Sequence, residues 1–264
     1  MGVLNVTPDS FSDGGRWFDH DRAVGHGLDM IADGADIIDV GGESTRPGAS
    51  PVDEAEELRR VLPVIKELSG AVRVSIDTRR RAVAEAALDA GAGIVNDVSA
   101  TLWPVAAEGG GAWIAMHMRG EPADMAAHAH YDDVVAEVCS YLVERAERAA
   151  AAGVHEVYID PGIGFAKNAA YNLTLLAHLD VMVATGWPVV VGTSRKSFLG
   201  RLTGGTDSLA GGTAVAPVDD RLEGSLATSA WAMTQGVSMV RVHDVAPAVY
   251  AARLMDDRAE RAQQ

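Results

Sequence analysis

Ile38-Asp39-Val40-Gly41-Gly42-Glu43-Ser44-Thr45-Arg46-Pro47-Gly48 is an apolar run that empties into glycines, then a hydroxyl, a guanidinium and a proline. Val189-Val190-Val191-Gly192-Thr193-Ser194-Arg195-Lys196 has the same grammar much later in the chain. Each reads as a strand running into a polar glycine loop. A parallel barrel gathers such loops at the carboxyl ends of its strands, where its active site is built.

Outward from these segments, short β-rich runs alternate with longer helical ones. Strands are predicted at Gly2–Val6, Ala35–Val40, Arg73–Ile76, Gly93–Asn96, Ala112–Met116, Glu156–Ile159, Pro188–Val191 and Met239–Val242. Helices are predicted at Ala23–Ala32, Asp53–Leu68, Arg79–Ala90, Pro104–Glu108, Tyr131–Ala152, Tyr171–Leu179, Arg221–Gln235 and Ala246–Met255. Strict βα alternation means parallel strands joined by crossover helices. Eight such units over 264 residues fit a closed (β/α)8 TIM barrel, a single α/β domain spanning residues 1–264. An open doubly wound sheet is the alternative. The strands show little polar alternation, as a sheet covered on both faces requires. Gly70, Gly91 and Gly153 each follow a predicted helix, where a left-handed cap is expected.

The charge balance narrows the partners. Lys and Arg number 22 against 37 Asp and Glu, a net charge of −15. That argues against nucleic acid or an acidic membrane, and makes any cationic cluster more informative. The one cysteine, Cys139, forms no intrachain bridge and is expected as a buried thiol in a helix. Met1–Val6 already reads as a strand without a basic segment, so no signal peptide is expected. No apolar run approaches the ~20 residues of a membrane helix. A cytoplasmic protein follows as the expectation.

The predicted strand ends are polar throughout: Asn5, Glu43 to Gly48, Asp77-Thr78, Asn96-Asp97, His117, Asp160, Gly192 to Lys196, and Arg241 with His243-Asp244. Two chemistries mix there. Asp77, Asn96 and Asp160 supply acceptors suited to a donor-rich heterocycle. Arg195, Lys196, Arg241 and His243 form a cationic group on the last two strands, the usual phosphate side of this fold. One ligand with a heterocycle at one end and phosphate at the other would satisfy both.

Eight segments in order carry a family resemblance: GVLNVTPDSFSDGG, DVGGESTRPGA, SIDT, NDVS, MHMRG, DPGIGFAK, GTSRKSFLG and RVHDV. Together, from Met1 to about Tyr250, they resemble the dihydropteroate synthases, pterin-binding TIM barrels of folate biosynthesis. The resemblance implies condensation of 6-hydroxymethyl-7,8-dihydropterin pyrophosphate with p-aminobenzoate, assisted by Mg2+, and competition by sulfonamides. It implies that Asp77, Asn96, Met116, Asp160, Gly192, Lys196 and Arg241 hold the pterin. It places the pyrophosphate on Asn5, Arg241 and His243, with Asn5 also a metal ligand. It forms the p-aminobenzoate pocket from Thr45, Arg46, Pro47, Phe165, Lys196 and Ser197. Asp13, Asp77 and Lys196 are the implied catalytic residues, and a homodimer the implied assembly. Barrels that pass a methyl group from methyltetrahydrofolate to a corrinoid share the pterin pocket and stand as the alternative. They do not require the SRK and p-aminobenzoate loops.

Some residues admit two readings. Asp39 and Asp97 belong either to the site or to local backbone bonding. His117 reads as a structural donor, His128 and His130 as surface residues, Arg79-Arg80-Arg81 as a solvated helix start, and the five tryptophans as packing.

Overall fold

A computed structural model describes residues 1–7, 16–43, 52–121, 124–203, 215–218 and 220–262. The strands are β1 (Gly2–Asn5), β2 (Ile37–Gly41), β3 (Arg73–Asp77), β4 (Ile94–Asp97), β5 (Ala112–Met116), β6 (Val157–Asp160), β7 (Val190–Val191) and β8 (Met239–Val240). β1 to β6 form one parallel sheet in chain order, and β7 pairs with β8. Isolated parallel bridges, Ile159 to Val189 and Gly2 to Val242, join the two pieces on both sides. Val3 donates to the Val242 carbonyl at 2.9 Å and Val242 donates to that of Met1 at 3.0 Å, so the barrel closes. β7 and β8 are shorter than the sequence predicts.

The helices are α1 (Arg16–Ala32), α2 (Glu54–Leu68), α3 (Arg81–Asp89), α4 (Trp103–Gly109), α5 (Val134–Ala151), α6 (Ala169–Ala177), α7 (Leu179–Val183), α8 (Ser197–Thr203), α9 (Leu222–Thr234) and α10 (Val245–Ala262). Asp53 caps α2 by accepting from the Glu56 amide, as its place before an acidic first turn suggests. α5 starts three residues later than predicted because Asp133 caps it, accepting from Val135 and Ala136. The predicted sixth helix is broken at His178 into α6 and α7. Gly91 and Gly153 take positive φ as expected, but Gly70 does not; Ser69 ends α2 in a right-handed conformation. Cys139 is half-buried rather than buried, and burial raises its thiol pKa.

The strands do alternate, more sharply than their composition suggested. Ile38, Val40, Val74, Ile76, Val95, Trp113, Ala115, Val157 and Ile159 join the helices in the main core. Met1, Ile37, Ile94, Ala112, Ile114 and Val190 form a separate apolar plug. By strand period, the plug side continues upward as Asp39 and Gly41, Ser75 and Asp77, Asn96, Met116, and Asp160. The barrel lumen is therefore apolar at its floor and polar towards its mouth.

Candidate active site

Parallel register sets the polar residues side by side. Asn5 pairs with Gly41, Gly41 with Asp77, and Asp77 with Asn96. Two strands on, Met116 pairs with Asp160. These residues ring the top of the lumen, beneath a cavity lined by Asn5, Asp77, Phe165, Lys196, Ser197, Arg241 and His243, which extends outwards along His26 and Asp29 of α1 and Asp33 just past it to a total of about 1020 Å3. Asp160 and Lys196 thus meet Arg241 and Asn5 in one cup.

The centre of the cup is an acid–guanidinium–acid bridge. Arg241 Nε donates to Asp39 Oδ2 at 2.6 Å, and its Nη2 donates to Asp77 Oδ2 at 2.7 Å. Asn96 Nδ2 donates to the same Asp39 oxygen at 2.9 Å. Three consequences follow. Asn96 commits one of its two N–H donors to Asp39, which fixes the amide's orientation and leaves its Oδ1 as an acceptor for a ligand. Asp77 Oδ1 is buried with no partner, an acceptor aimed at nothing the protein supplies. Asp39 is resolved as an anchor of the site, whereas Asp97 accepts from the Ser99, Thr101 and Leu102 amides and from the Trp113 indole.

Burial raises Asp77 to about 7, with Arg241 opposing and Asp39 adding to the rise. Burial also raises Asp160, although the Gly162 amide donates to its Oδ1 at 2.7 Å and Lys196 lies near. Burial works against charge on Arg241, but Asp39 and Asp77 more than offset it and raise its pKa. Enclosure pushes Lys196 down to about 8, Arg241 adding to the effect. The Lys196 ammonium sits 4.0 Å from the centre of the Phe165 ring.

Lys196 is delivered by a strained turn. Arg195 adopts φ 58°, a costly region for a residue with a Cβ. Three contacts hold it there. Its amide donates to Ser225 Oγ at 2.9 Å, its carbonyl accepts from Arg221 at 2.9 Å, and its guanidinium grips Asp244 through two bonds. Gly192 lies beside the Arg241 stem, where an added Cβ would stand 3.6 Å from Arg241 Cβ.

Two members of the expected cationic group are corrected. Arg195 is committed to Asp244. His243 is neutral: burial, then Arg241, Arg195 and Lys196, push it down to about 3. Its Nδ1 pairs with Ser194 Oγ at 3.0 Å. The arginine run is corrected at Arg80, while Arg81 is an exposed helix start as expected. Arg79 pairs with Glu43 and Glu121, Arg81 with Glu85 and Glu108, and Arg80 with Glu43 and the buried Glu57. Arg80 also donates to the Val52 carbonyl, so it ties β2's exit to α2. His117 is buried and structural, and its pKa is pushed to about 3 by burial and Lys167. His128 and His130 stay at the surface, and no group of three metal-ligating side chains occurs among the described residues. Asp13, Thr45, Arg46 and Pro47 lie outside the described residues. Ser194, Asp39 and Lys167 were not assigned roles from the sequence. All three sit inside quoted motifs, which was the available signal.

The fit to known proteins agrees with the geometry. Residues 1–243 match the family of pterin binding enzymes. The dihydropteroate synthase of Mycobacterium leprae is 50% identical over 264 residues, covering 97% of this chain and 91% of that protein. The Xanthomonas albilineans dihydropteroate synthase structure with 4-aminobenzoic acid superposes with a TM-score of 0.88 at 44% identity, covering 98% and 92% of the two chains. The Yersinia pestis enzyme, solved with a sulfonamide drug, gives 0.88 at 40% identity, covering 98% and 94%. The chain belongs to the dihydropteroate synthase family of pterin-binding enzymes.

Proposed function

We propose that this chain joins 6-hydroxymethyl-7,8-dihydropterin pyrophosphate to p-aminobenzoate, forming 7,8-dihydropteroate and releasing pyrophosphate. The observation that carries the reading is the Asp39–Arg241–Asp77 bridge beside Lys196 in a single cup. Asp77 Oδ1, Asn96 Oδ1 and Asp160 Oδ2 accept from the amino and ring-nitrogen edge of the pterin. Lys196 donates to its carbonyl side, Met116 and Gly192 pack on the ring, and Arg241 covers one face. Arg241 and the neutral His243 donate to the pyrophosphate.

The amine nitrogen forms a bond to the pterin methylene as the carbon–oxygen bond to pyrophosphate breaks. The electron pair leaves with the pyrophosphate, and the proton of the new ammonium passes to water. A dissociative path spreads positive charge into the ring, where the acids Asp77 and Asp160 lie. The aryl amine is a nucleophile without deprotonation, so no strong base is required. The p-aminobenzoate rests between Phe165, Lys196 and Ser197, with Thr45, Arg46 and Pro47 completing its pocket, and Asp13 is assigned a catalytic role beside Asp77 and Lys196. Sulfonamides compete there.

Asn5 offers one hard amide oxygen at the mouth, with no preformed carboxylate cage among the described residues. That donor set fits a Mg2+ that keeps water and phosphate as its other ligands. When bound, the ion supplies Lewis-acid charge on the leaving group. The reading extends to a homodimer in the cytoplasm; Leu173, Val181 and Trp231 leave apolar surface on α6, α7 and α9, away from the strands. No described helix is long and apolar enough to cross a membrane.

Pyrophosphate release, measured with and without p-aminobenzoate and Mg2+, tests the reading. Release that requires both supports it. Release indifferent to the aryl amine, or methyl transfer from methyltetrahydrofolate, overturns it.

A further inference from the structure

Lys167 is a buried side-chain amine that the reaction above leaves unused. Its ammonium bonds to four acceptors: His117 Nδ1 at 3.0 Å, the His117 carbonyl at 3.2 Å, the Gly162 carbonyl at 3.1 Å and the Phe165 carbonyl at 3.0 Å. No carboxylate lies within ion-pair distance of it among the described residues. Burying a lysine without an acid is costly, and these hydrogen bonds offset part of that cost.

The loop it grips has an irregular backbone. Between β6 and α6, three residues take left-handed backbone: Gly162 at 64°, Gly164 at 86° and Ala166 at 49°. The other polar groups of the loop are also tethered. Gly164 donates to Asn172 Oδ1 at 2.7 Å, and Tyr131 donates to the Ala166 carbonyl at 3.1 Å. Lys167 folds back beneath its own loop and binds both ends of the Gly162–Phe165 turn, which closes by a 3.0 Å bond from the Phe165 amide. It also fastens that turn to the end of β5 through His117. Above the turn stands the Phe165 ring, against the Lys196 ammonium.

We propose that Lys167 is a positioning residue that fixes the Phe165 wall and thereby sets affinity for p-aminobenzoate. The inference rests on the p-aminobenzoate pocket assigned above. Phe165 is tethered directly, through its own carbonyl. Asp160 has a second support: its backbone pairs with Met116 in the sheet, although the Gly162 amide of the same turn also donates to its Oδ1 at 2.7 Å. Loss of the ammonium is therefore expected to weaken the aryl amine site much more than the pterin site.

Lys167→Met keeps the length of the side chain and removes its donors. In the full-length protein, KM for p-aminobenzoate is expected to rise at least tenfold, with KM for the pterin pyrophosphate within twofold and kcat within threefold. Affinity for a sulfonamide, titrated in the presence of pyrophosphate and a pterin, is expected to fall in parallel. Lys167→Gln, which restores two donors without charge, is expected to recover part of the loss, and the same criterion applies to it should the methionine variant not fold. An unchanged KM for p-aminobenzoate in a folded variant overturns the inference. So does an equal rise in both KM values, which would mark a purely structural lysine. If the unsubstituted protein itself shows no p-aminobenzoate-dependent turnover, the functional reading fails instead.

Discussion

Asp39→Asn tests whether the acid beneath the cup acts through Arg241 and Asn96. One oxygen, Asp39 Oδ2, takes both donors, while Oδ1 is buried without a partner. An asparagine can therefore turn its oxygen to the donors and place its amide nitrogen in the empty position, leaving the packing intact. What disappears is charge. A bond to a charged group contributes about 1.5–3 kcal/mol and a neutral one about 0.5–1.5; Arg241 stays charged, so the Asn96 bond alone makes that change and loses about 1.2 kcal/mol. That corresponds to a fall of roughly eightfold in kcat/KM for the pterin pyrophosphate. A second signature accompanies it. Asp39 is one of the groups raising Asp77. Without it Asp77 ionises at lower pH, and the acid limb of the pH–kcat/KM profile moves downwards. Steady-state kinetics between pH 5.5 and 9 measure both. A kcat/KM within threefold of the unsubstituted protein, with an unmoved acid limb, refutes the anchoring role.

The remaining predictions concern protons and backbone. Asp77 must be ionised to accept from a ring N–H, and its pKa in the folded protein is raised to about 7. Pterin affinity should therefore rise from pH 6 to 7.5, with proton release visible by calorimetry in buffers of different ionisation enthalpy, and fall above 8 as Lys196 deprotonates. Affinity that declines from pH 6 to 7.5 contradicts this. His243 is depressed to about 3 from an ordinary 6.5, so its stabilising contribution is complete above pH 6.5 and is lost as pH falls. Relative to the unsubstituted protein, His243→Asn should gain about 2 kcal/mol between pH 7 and 5 in urea unfolding, since each pH unit is worth up to about 1.4 kcal/mol per proton. A gap independent of pH excludes a neutral buried imidazole. Gly162→Ala puts a Cβ 2.0 Å from the His117 carbonyl oxygen at φ 64°. The backbone term alone is about 1–2 kcal/mol, and displacing the end of β5 adds to it. A thermal midpoint within 2 °C of the original protein would show that the turn yields freely.

The barrel was legible in the chain because alternation of βα units is a statement about connectivity, and connectivity survives error at the ends of elements. All eight strand starts were found within two residues, while α5 starts three residues later and α6 ends two residues earlier than read, where Asp133 and His178 intervene. The site was legible where a polar residue ended an apolar strand, as at Asp77, Asn96 and Asp160. It was misread where a residue's role depends on a partner distant in sequence. Arg80 reads as solvated until Glu57, 23 residues away, is seen beneath it. Arg195 reads as a phosphate ligand until Asp244 takes it. Lys167 is a motif residue with no visible reason until the loop folds over it. Long-range pairing of charges is the information that local pattern does not carry.

The same pairing alters the electrostatics expected of the site. Four cations were read from the last two strands. With Arg195 committed to Asp244 and His243 neutral, Arg241 and Lys196 remain, and they face Asp39, Asp77 and Asp160. Even with Asp77 half protonated near pH 7, the fixed charges of the cup almost cancel. A surface with a net charge of −15 adds no long-range attraction for an anion. In the proposed reaction, recognition of the diphosphate would therefore rest on two directional donors, Arg241 and His243, rather than on a positive field. Such a site favours a ligand whose own charge is already partly compensated, which is the physical ground for including Mg2+ in the proposed reaction. It also accounts for the position of Arg241. A guanidinium held from below by two carboxylates keeps a fixed plane, and can cover the heterocycle while its remaining N–H groups face the departing pyrophosphate.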